Sequence, residues 1–398
     1  MKLKKIVFSA TLALASVFAL ASCGSSKKEI TYTDSEGKVQ KQVLQSTTDE
    51  KEVTKDVIAL ASTEYKVEAT KSVQIEATFN ADLNAKLNDK EFNIKADLSE
   101  VAAMQIPTYV ENKSAEDYAK ELVAYSATTL NATLPNGLLS GSLSTETQNV
   151  ALKLNSYYES NTAYLNFEKL DLDLAKLTGV DLTKEPAEDA SMLYSFLPMI
   201  DKLLKGVKGN TYKLSAAELE AATGMAGGLS GVTIPTIDEE TIQKYVGAIS
   251  QYANADTLNL DKINALLSSL GVKVTFDSSA LEANVEKLVK EIGLTIKSVS
   301  GNEVTFAFNV NAKNDAKVSV ELVLDVAKCL PVRVSVDLAA AVNALGKDSN
   351  AFTANTLKAE VKFTYNGSVN KISEDNKKAA KGIQDLMALV LGGDSTEA

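Results

Sequence analysis

Apolar and polar residues alternate strictly over several long stretches of the chain. In the longest, from Val73 to Leu87, every odd-numbered position is apolar and every even-numbered position is polar. A period of two places successive side chains on opposite faces of a β-strand, whereas a helix would scatter them around its axis. The residues Asn88 to Lys90 are typical of a turn and lead into a second alternating run, Phe92 to Leu98. We therefore predict a long antiparallel hairpin.

The same alternation returns near the C-terminus. Strands are predicted there over 304–312, 318–326, 332–338 and 357–365, and before them over 150–167 and 170–174. One-sided alternation is typical of an antiparallel sheet with one apolar and one solvated face. A straight strand as long as the Val73–Leu87 run would span about 50 Å, since each residue adds about 3.3 Å. We therefore expect the sheet to be curved, as in a half-barrel.

Between residues 187 and 292 the apolar positions follow a helical period instead. In this region we predict helices over 193–207, 242–249 and 279–292, and elsewhere in the chain around 49–62, 114–129 and 374–391. Pro198 should kink the first of these helices. Ser279 and Glu282 form a capping box at the start of the third helix, and Gly293 ends it.

This order of strands, helices, strands and a final helix predicts an α+β protein. We interpret residues 66–398 as one domain, a long-stranded curved antiparallel sheet. A helical insertion at about 187–292 packs on its apolar face. Residues 23–65 form an N-terminal segment ahead of this domain. Two tandem lobes, divided near residue 230 in the glycine-rich stretch 224–231, are the alternative.

The composition restricts the function. The 398 residues are 45% hydrophobic and 23% charged, which is typical of a folded globular protein. A net charge of −11 disfavours binding to nucleic acid or to anionic lipid headgroups. Histidine is absent, which excludes Ser-His-Asp and Cys-His catalysis as well as imidazole metal sites. Only Arg333 offers a bidentate guanidinium. We therefore predict a protein that is not an enzyme and has no cofactor.

Two groups of residues have both a chemical and a structural interpretation. Asp171, Asp173 and Asp181 supply carboxylates of the kind that bind calcium, but they lack the D-x-D-x-D-G spacing. Alternation with leucines explains the first two as the solvated face of a strand. Cys329 is a thiol between apolar neighbours, with no histidine to activate it. We therefore predict no metal site and no catalytic residue.

The N-terminus has the three parts of an export signal. A region with three lysines precedes an uncharged apolar stretch, residues 6–20, which is shorter than the roughly 20 residues of a membrane-spanning helix. The sequence Leu20-Ala21-Ser22-Cys23 then matches a lipobox, so the chain resembles bacterial lipoproteins. The resemblance implies that residues 1–22 are a signal peptide, that cleavage leaves Cys23 first, and that its thiol is lipidated. An ordinary secretory peptide is the alternative.

Two further segments resemble the LolA/LppX-like lipoproteins and lipoprotein carriers. Tyr157 to Leu165 is similar to that group's hairpin of two aromatic strands around a polar turn. Between Leu322 and Val336, a strand ends at Asp325 and Pro331-Val332-Arg333 opens the next. The resemblance implies a curved antiparallel half-barrel with helices against its concave face, and some members carry lipids in that hollow. This chain departs from the group in its longer helical middle and in its own lipidation, so it is not a freely diffusing shuttle.

We therefore predict a non-enzymatic lipoprotein, anchored at the extracytoplasmic face of the cell membrane through Cys23, that binds a lipid or other amphiphile in an apolar groove. Candidate groove residues are Phe79, Tyr158, Tyr164, Phe306, Phe308 and Phe363. The alternative is a structural or partner-binding envelope lipoprotein whose core is solid. The third hypothesis is a solute-binding component of an importer. That class of protein needs parallel βαβ lobes, whereas the strands predicted here form antiparallel hairpins.

Overall fold

The computed structural model describes most of the sheet-forming chain. The described residues are 27–33, 38–63, 65–66, 70–87, 90–108, 120–139, 144–160, 162–182, 192–215, 257–258, 281–311, 317–328, 330–346 and 352–382, with a few single positions between and after them. The predicted signal peptide, Cys23, Cys329 and the predicted helix over 242–249 lie outside these residues.

The elements are numbered here in chain order. The strands are β1 (Lys27–Thr33), β2 (Val39–Gln45), β3 (Tyr65–Lys66), β4 (Ser72–Leu87), β5 (Lys90–Gln105), β6 (Ala124–Pro135), β7 (Thr147–Glu159), β8 (Thr162–Asp171), β9 (Thr211–Ser215), β10 (Thr257–Leu258), β11 (Thr295–Ser300), β12 (Glu303–Asn311), β13 (Lys317–Asp325), β14 (Leu330–Asp337) and β15 (Phe352–Tyr365). The helices are α1 (Glu50–Ala61), α2 (Leu174–Thr178), α3 (Met192–Val207), α4 (Leu281–Ile292), α5 (Ala339–Gly346) and α6 (Glu374–Ala379).

One sheet of 11 strands dominates the fold, in the order β11-β12-β13-β14-β15-β4-β5-β6-β7-β8-β9. All of its neighbouring strands are antiparallel. The strands β4–β9 form one meander and β11–β15 form another. The two meanders join where β15 pairs with β4, from Tyr365 opposite Val73 to Phe352 opposite Ala85. The predicted α+β class, with an antiparallel sheet built from both ends of the chain, is confirmed.

The strict alternation at Val73–Leu87 produces the longest strands. β4 and β5 have 16 residues each and pair over their full length, as the predicted hairpin requires. At about 3.3 Å per residue, each strand spans about 50 Å. The sheet is not closed, because β11 and β9 are its two edges.

The core lies under the C-terminal meander. Helices α1 and α4 and the β1–β2 hairpin pack on β11 and β12, and α5 packs on β13. Their apolar side chains form one buried cluster with those of β11–β14. Phe306 on β12 is 0% exposed there, and Leu322 on β13 is 1% exposed. Residues 27–61, which the sequence analysis placed ahead of the sheet domain, therefore contribute to the same core as the sheet.

Both edges of the sheet are partly covered. At the β11 edge, the backbone N–H groups of Thr47 and Ile296 each donate to the other residue's carbonyl oxygen, at 2.9 and 3.0 Å. At the β9 edge, Lys381 donates to the carbonyl of Thr211 at 2.9 Å and accepts from Lys213 at 2.8 Å. Covering an edge in this way reduces the risk that it pairs with another chain.

Several helix predictions agree with the structure and several need correction. The helix at 193–207 corresponds to α3 with Pro198 inside it, and the third helix ends at Gly293, whose φ of +61° suits glycine. The helix predicted over 114–129 is wrong in its second half, since β6 begins at Ala124. The strand predicted over 170–174 is also wrong at its end, because Asp173 caps α2. The last predicted helix, 374–391, is interrupted, since α6 ends at Ala379 and the described residues 384–385 and 388–389 are helical again.

Candidate functional site

One face of the large sheet is mainly apolar from β11 to β8. Residues that pair across antiparallel strands share a face, so the register traces this face from strand to strand. A row of paired residues runs across β12, β13, β14, β15, β4, β5 and β6. In this row, each residue is paired with the next one, which lies on the neighbouring strand. The row consists of Phe306, Leu322, Val334, Val361, Ala77, Glu100 and Thr128. We call this surface the inner face.

The inner face is packed at one end and open at the other. On β11 and β12 it is covered by α1 and α4, and on β13 by α5, and all of these elements contribute to one buried cluster. On β4 and β5 the same face carries Ile75 and Leu98, which are each 37% exposed. The open part therefore consists of β4–β7 and the C-terminal half of β15, beyond the contact of α5 with Ala354. The alternating pattern continues there without covering helices among the described elements.

Two helices border the open part. Helix α3 lies over the β8–β9 end, where the hydroxyl of the fully buried Tyr212 donates to the carbonyl of Gly206 at 3.5 Å. Phe167 packs edge-on against Tyr212, with ring centroids 6.2 Å apart. On the other side, α5 follows β14, and the Asn343 side chain exchanges two hydrogen bonds with the Ala354 backbone, at 2.9 and 2.6 Å. The open part is therefore a trough between helices.

A pocket of about 400 Å³ lies in this trough. Its lining includes Val73 and Ile75 of β4, Ala102 and Met104 of β5, Ala124 and Ser126 of β6, Ser156 and Tyr158 of β7 and Ala163 of β8. Ala103, Tyr125 and Tyr157, whose register positions are on the outer face, complete the lining. Most of these residues are apolar and several are small, which leaves room above the sheet. Ligand pockets in proteins typically measure about 300–1,000 Å³ and are lined mainly by apolar side chains, with a few polar groups.

A short polar band crosses the trough beside the pocket. The hydroxyls of Ser126 and Ser156, paired across β6 and β7, are 2.9 Å apart. Two residues further along β6 and on the same face, Thr128 donates its hydroxyl hydrogen to the carboxylate of Glu100, its paired residue on β5. Sequence analysis missed all four residues. The available signal was Glu100 itself, a charge at a position where the alternation along β5 requires an apolar residue.

The structure separates the six predicted groove residues into three groups. Phe79, Tyr158 and Phe363 lie on the open part of the inner face. Phe306 and Phe308 share that face but lie in the packed core, 0% and 3% exposed. Tyr164 lies on the opposite face, because it pairs with Tyr157 rather than with Tyr158. The structure therefore brings only three of the six residues to the trough.

On the opposite, outer face, three tyrosines stand in register on adjacent strands. Tyr125, Tyr157 and Tyr164 are paired across β6, β7 and β8. The rings of Tyr125 and Tyr157 have centroids 5.2 Å apart and are tilted by 43°. Burial raises the pKa of Tyr157, with smaller contributions from Tyr125 and Glu168. Because the two rings are tilted against each other, they form a cross-strand aromatic pair and not a flat platform.

A second pocket, of about 500 Å³, is larger but charged. It lies where β7 and β8 meet α2 and α3, and it contains Asp171 and Asp173, the residues considered for calcium. The Nζ of Lys208 lies 2.6 Å from Asp171 and holds the pKa of that carboxyl below its usual range. Asp173 accepts the backbone N–H of Lys176 as the cap of α2. These carboxylates are therefore accounted for by structural partners.

Two observations concern metals and membranes. Among the described residues, no group of three or more Cys, Asp or Glu side chains is arranged to hold a metal ion. No helix in the described part of the chain is long and apolar enough to cross a membrane.

No protein-family model, curated protein or solved structure matches the chain. The function must therefore be argued from the geometry of the trough and from the sequence.

Proposed function

We propose that this protein is a lipid-anchored, extracytoplasmic lipoprotein that binds an amphiphile in the trough on the inner face of its sheet. The observation that carries the proposal is the contrast along one face, which is buried under helices at β11–β14 and open at β4–β7. Ile75 and Leu98 would each lose exposed apolar area to a ligand. An open apolar surface of this kind marks binding sites on soluble proteins.

The pocket gives the trough a defined place for the apolar part of a ligand. Each methylene group transferred from water to an apolar site contributes about 0.8 kcal/mol. The affinity for linear alcohols should therefore rise about fourfold for each added carbon, until the chain outgrows the pocket. The neutral band of Ser126 and Ser156 offers hydroxyl groups to a polar end. The half-barrel of the LolA/LppX-like group agrees with this arrangement, and membership of that group is part of the proposal.

Residues 24–398, expressed without the anchor, provide the test. Native mass spectrometry should show a bound small molecule that is lost on mild unfolding, and organic extraction should identify it. The variant Ala102→Phe fills the pocket and should weaken the binding of added 1-decanol by about tenfold or more, because the alkyl chain loses its space.

Val101→Phe is the matched control. Val101 neighbours Ala102 on β5 but lies on the outer face, where it pairs with Glu76 and Ala127. It should leave decanol binding within about twofold. A protein that contains no ligand and takes up no decanol would contradict the proposal. Equal losses in the two variants would assign the effect to the strand and not to the pocket.

The anchor is tested separately in cells. The full-length chain should be found with the membrane fraction, and mass spectrometry should show an acylated N-terminal Cys23. Cys23→Ala should remove the acylation and the cleavage that depends on it. Cys23→Ser keeps the size of the side chain and should behave in the same way, since its hydroxyl does not replace the thiol in this modification. Membrane retention of an unmodified Cys23 would contradict the anchor.

The second candidate, a partner-binding lipoprotein with a solid core, is favoured by β11–β14, where the inner face is filled by the chain itself. It is opposed by the open part of the same face. The importer hypothesis receives no support from the described strands, which form antiparallel ladders throughout the large sheet.

A further inference from the structure

The described side chains on the open part of the inner face include one charged group. Among the described side chains of this face on β15 and β4–β8, only Glu100 carries a charge. Its neighbours across the strands are Ala77 on β4 and Thr128 on β6. A carboxylate on an apolar face loses part of its hydration, so it gains from a partner that donates hydrogen bonds or carries positive charge. Within the protein, Thr128 supplies one such hydrogen bond to Oε2.

Glu100 lies at the side of the pocket. It precedes Ala102 by two residues along β5, which places it about 7 Å from that part of the lining. The hydroxyls of Ser126 and Ser156 belong to the side of the pocket that is nearest to the Glu100–Thr128 pair in the order of the register. A ligand whose alkyl chain fills the pocket therefore brings a polar end group to this carboxylate.

We propose that the amphiphile carries an ammonium group that pairs with Glu100. This inference rests on the proposed function, because it assigns the chemistry of the ligand in the same trough. Among the described side chains of the inner face on β15 and β4–β8, none is a lysine or arginine that could meet an anionic headgroup. Lys90, which the register places on this face opposite Leu87, lies at the other end of the β4–β5 hairpin from the pocket. A carboxylate or phosphate placed beside Glu100 would be repelled, whereas an ammonium forms a charge-assisted hydrogen bond there. The net charge of −11 acts in the same direction.

The test compares three probes with equal alkyl chains, 1-decylamine, 1-decanol and decanoate, below their aggregation concentrations at pH 7. Isothermal titration calorimetry on residues 24–398 should show decylamine binding about tenfold more tightly than decanol, with decanoate weakest. Glu100→Gln keeps the size of the side chain and removes its charge. It should reduce this preference for the amine to about twofold or less and leave decanol binding within about twofold.

Glu76→Gln is the matched control, since Glu76 lies on the outer face of β4, opposite Val101. It should leave all three affinities unchanged, which separates a contact in the trough from the general attraction of a cation to an acidic protein. Equal binding of decylamine and decanol to the wild type would overturn the inference while leaving the proposed function intact. Equal losses in Glu100→Gln and Glu76→Gln would also overturn it. If no probe binds, the proposed function itself fails.

Discussion

At one end of the sheet, Phe306 and Leu322 lie under helices α1, α4 and α5 and are 0% and 1% exposed. On the same face, five strands beyond β12, Leu98 is 37% exposed. Both ends use long antiparallel strands with alternating apolar residues. The difference lies in what covers the strands, so the alternation determines which face is apolar but not whether that face is filled. A filled end stabilises the fold, and an open end is available to a ligand.

The largest expected difference between the two ends is in the stability that is lost when a phenylalanine ring is removed. Phe306→Ala removes a fully buried ring and should lower the free energy of unfolding by about 3–5 kcal/mol. Phe79→Ala removes a partly exposed ring from the open face and should lower it by about 1 kcal/mol. Urea unfolding monitored by circular dichroism measures both. Equal losses would mean that the open end is packed as tightly as the filled one.

A buried acid makes the filled end sensitive to pH. Asp56 on α1 is 1% exposed, and burial raises its pKa to about 7, although the Gln42 amide donates to it at 2.7 Å. The repulsion from Glu52 raises the pKa further, and Lys55 lowers it slightly. Because the folded state then holds a proton that the unfolded state releases near pH 4, stability should fall as the pH rises from about 4 to about 7.

Asp56→Asn should remove most of this dependence. The amide keeps an acceptor for Gln42 and carries no charge, so the variant should be more stable than the wild type at pH 8, by on the order of 3 kcal/mol. Urea midpoints from pH 4 to pH 8 provide the measurement, and Asp97→Asn on the outer face is a control. An unchanged pH profile in Asp56→Asn would show that other groups produce it.

The smallest expected effect concerns the turns at the two ends. In each hairpin two residues connect the strands, between Ser300 and Glu303 at the filled end and between Glu159 and Thr162 at the open end. The first connecting residue is Gly301 with φ of +60° in one turn and Ser160 with φ of +50° in the other. Glycine adopts positive φ without the strain that a side chain adds.

Gly301→Ala should therefore destabilise the protein by about 1 kcal/mol, since a Cβ there meets no atom within 4 Å and only backbone strain changes. Ser160→Gly should relieve strain and change the stability by less than about 1 kcal/mol, in the stabilising direction. Thermal unfolding of both variants measures the effect. A loss of stability in Ser160→Gly would mean that the serine side chain, rather than its backbone, determines this turn.

The strands with large apolar residues were predictable from the sequence, and those with small ones were not. The alternation of Val73–Leu87 is unambiguous. On β6, however, the inner face begins with Ala124, Ser126 and Thr128, so no contrast between apolar and polar positions exists there, and a helix was predicted across its start. These small polar residues are also part of the open trough. The local pattern therefore failed where the site lies.

The placement of the groove residues depended on facts that strand patterns do not contain. Tyr164 and Tyr158 lie on opposite faces of the sheet. The two-residue connection between β7 and β8 sets a register in which Tyr164 pairs with Tyr157, and Tyr158 pairs with Ala163. Phe306 and Phe79 have equivalent sequence patterns, and only the positions of α1 and α4 distinguish them. Helix packing between distant segments of the chain decides which end of the sheet remains open.

Hydrogen–deuterium exchange with and without 1-decanol tests the difference between the two ends most directly. Residues 24–398 would be digested after exchange, and the amides of β4–β7 compared with those of β11–β14. The open end should gain protection when decanol is present, because the ligand stabilises the strands that it covers, whereas β11–β14 should not change. Protection confined to β11–β14, or no change in any strand at saturating decanol, would contradict the assignment of the open face as a ligand site.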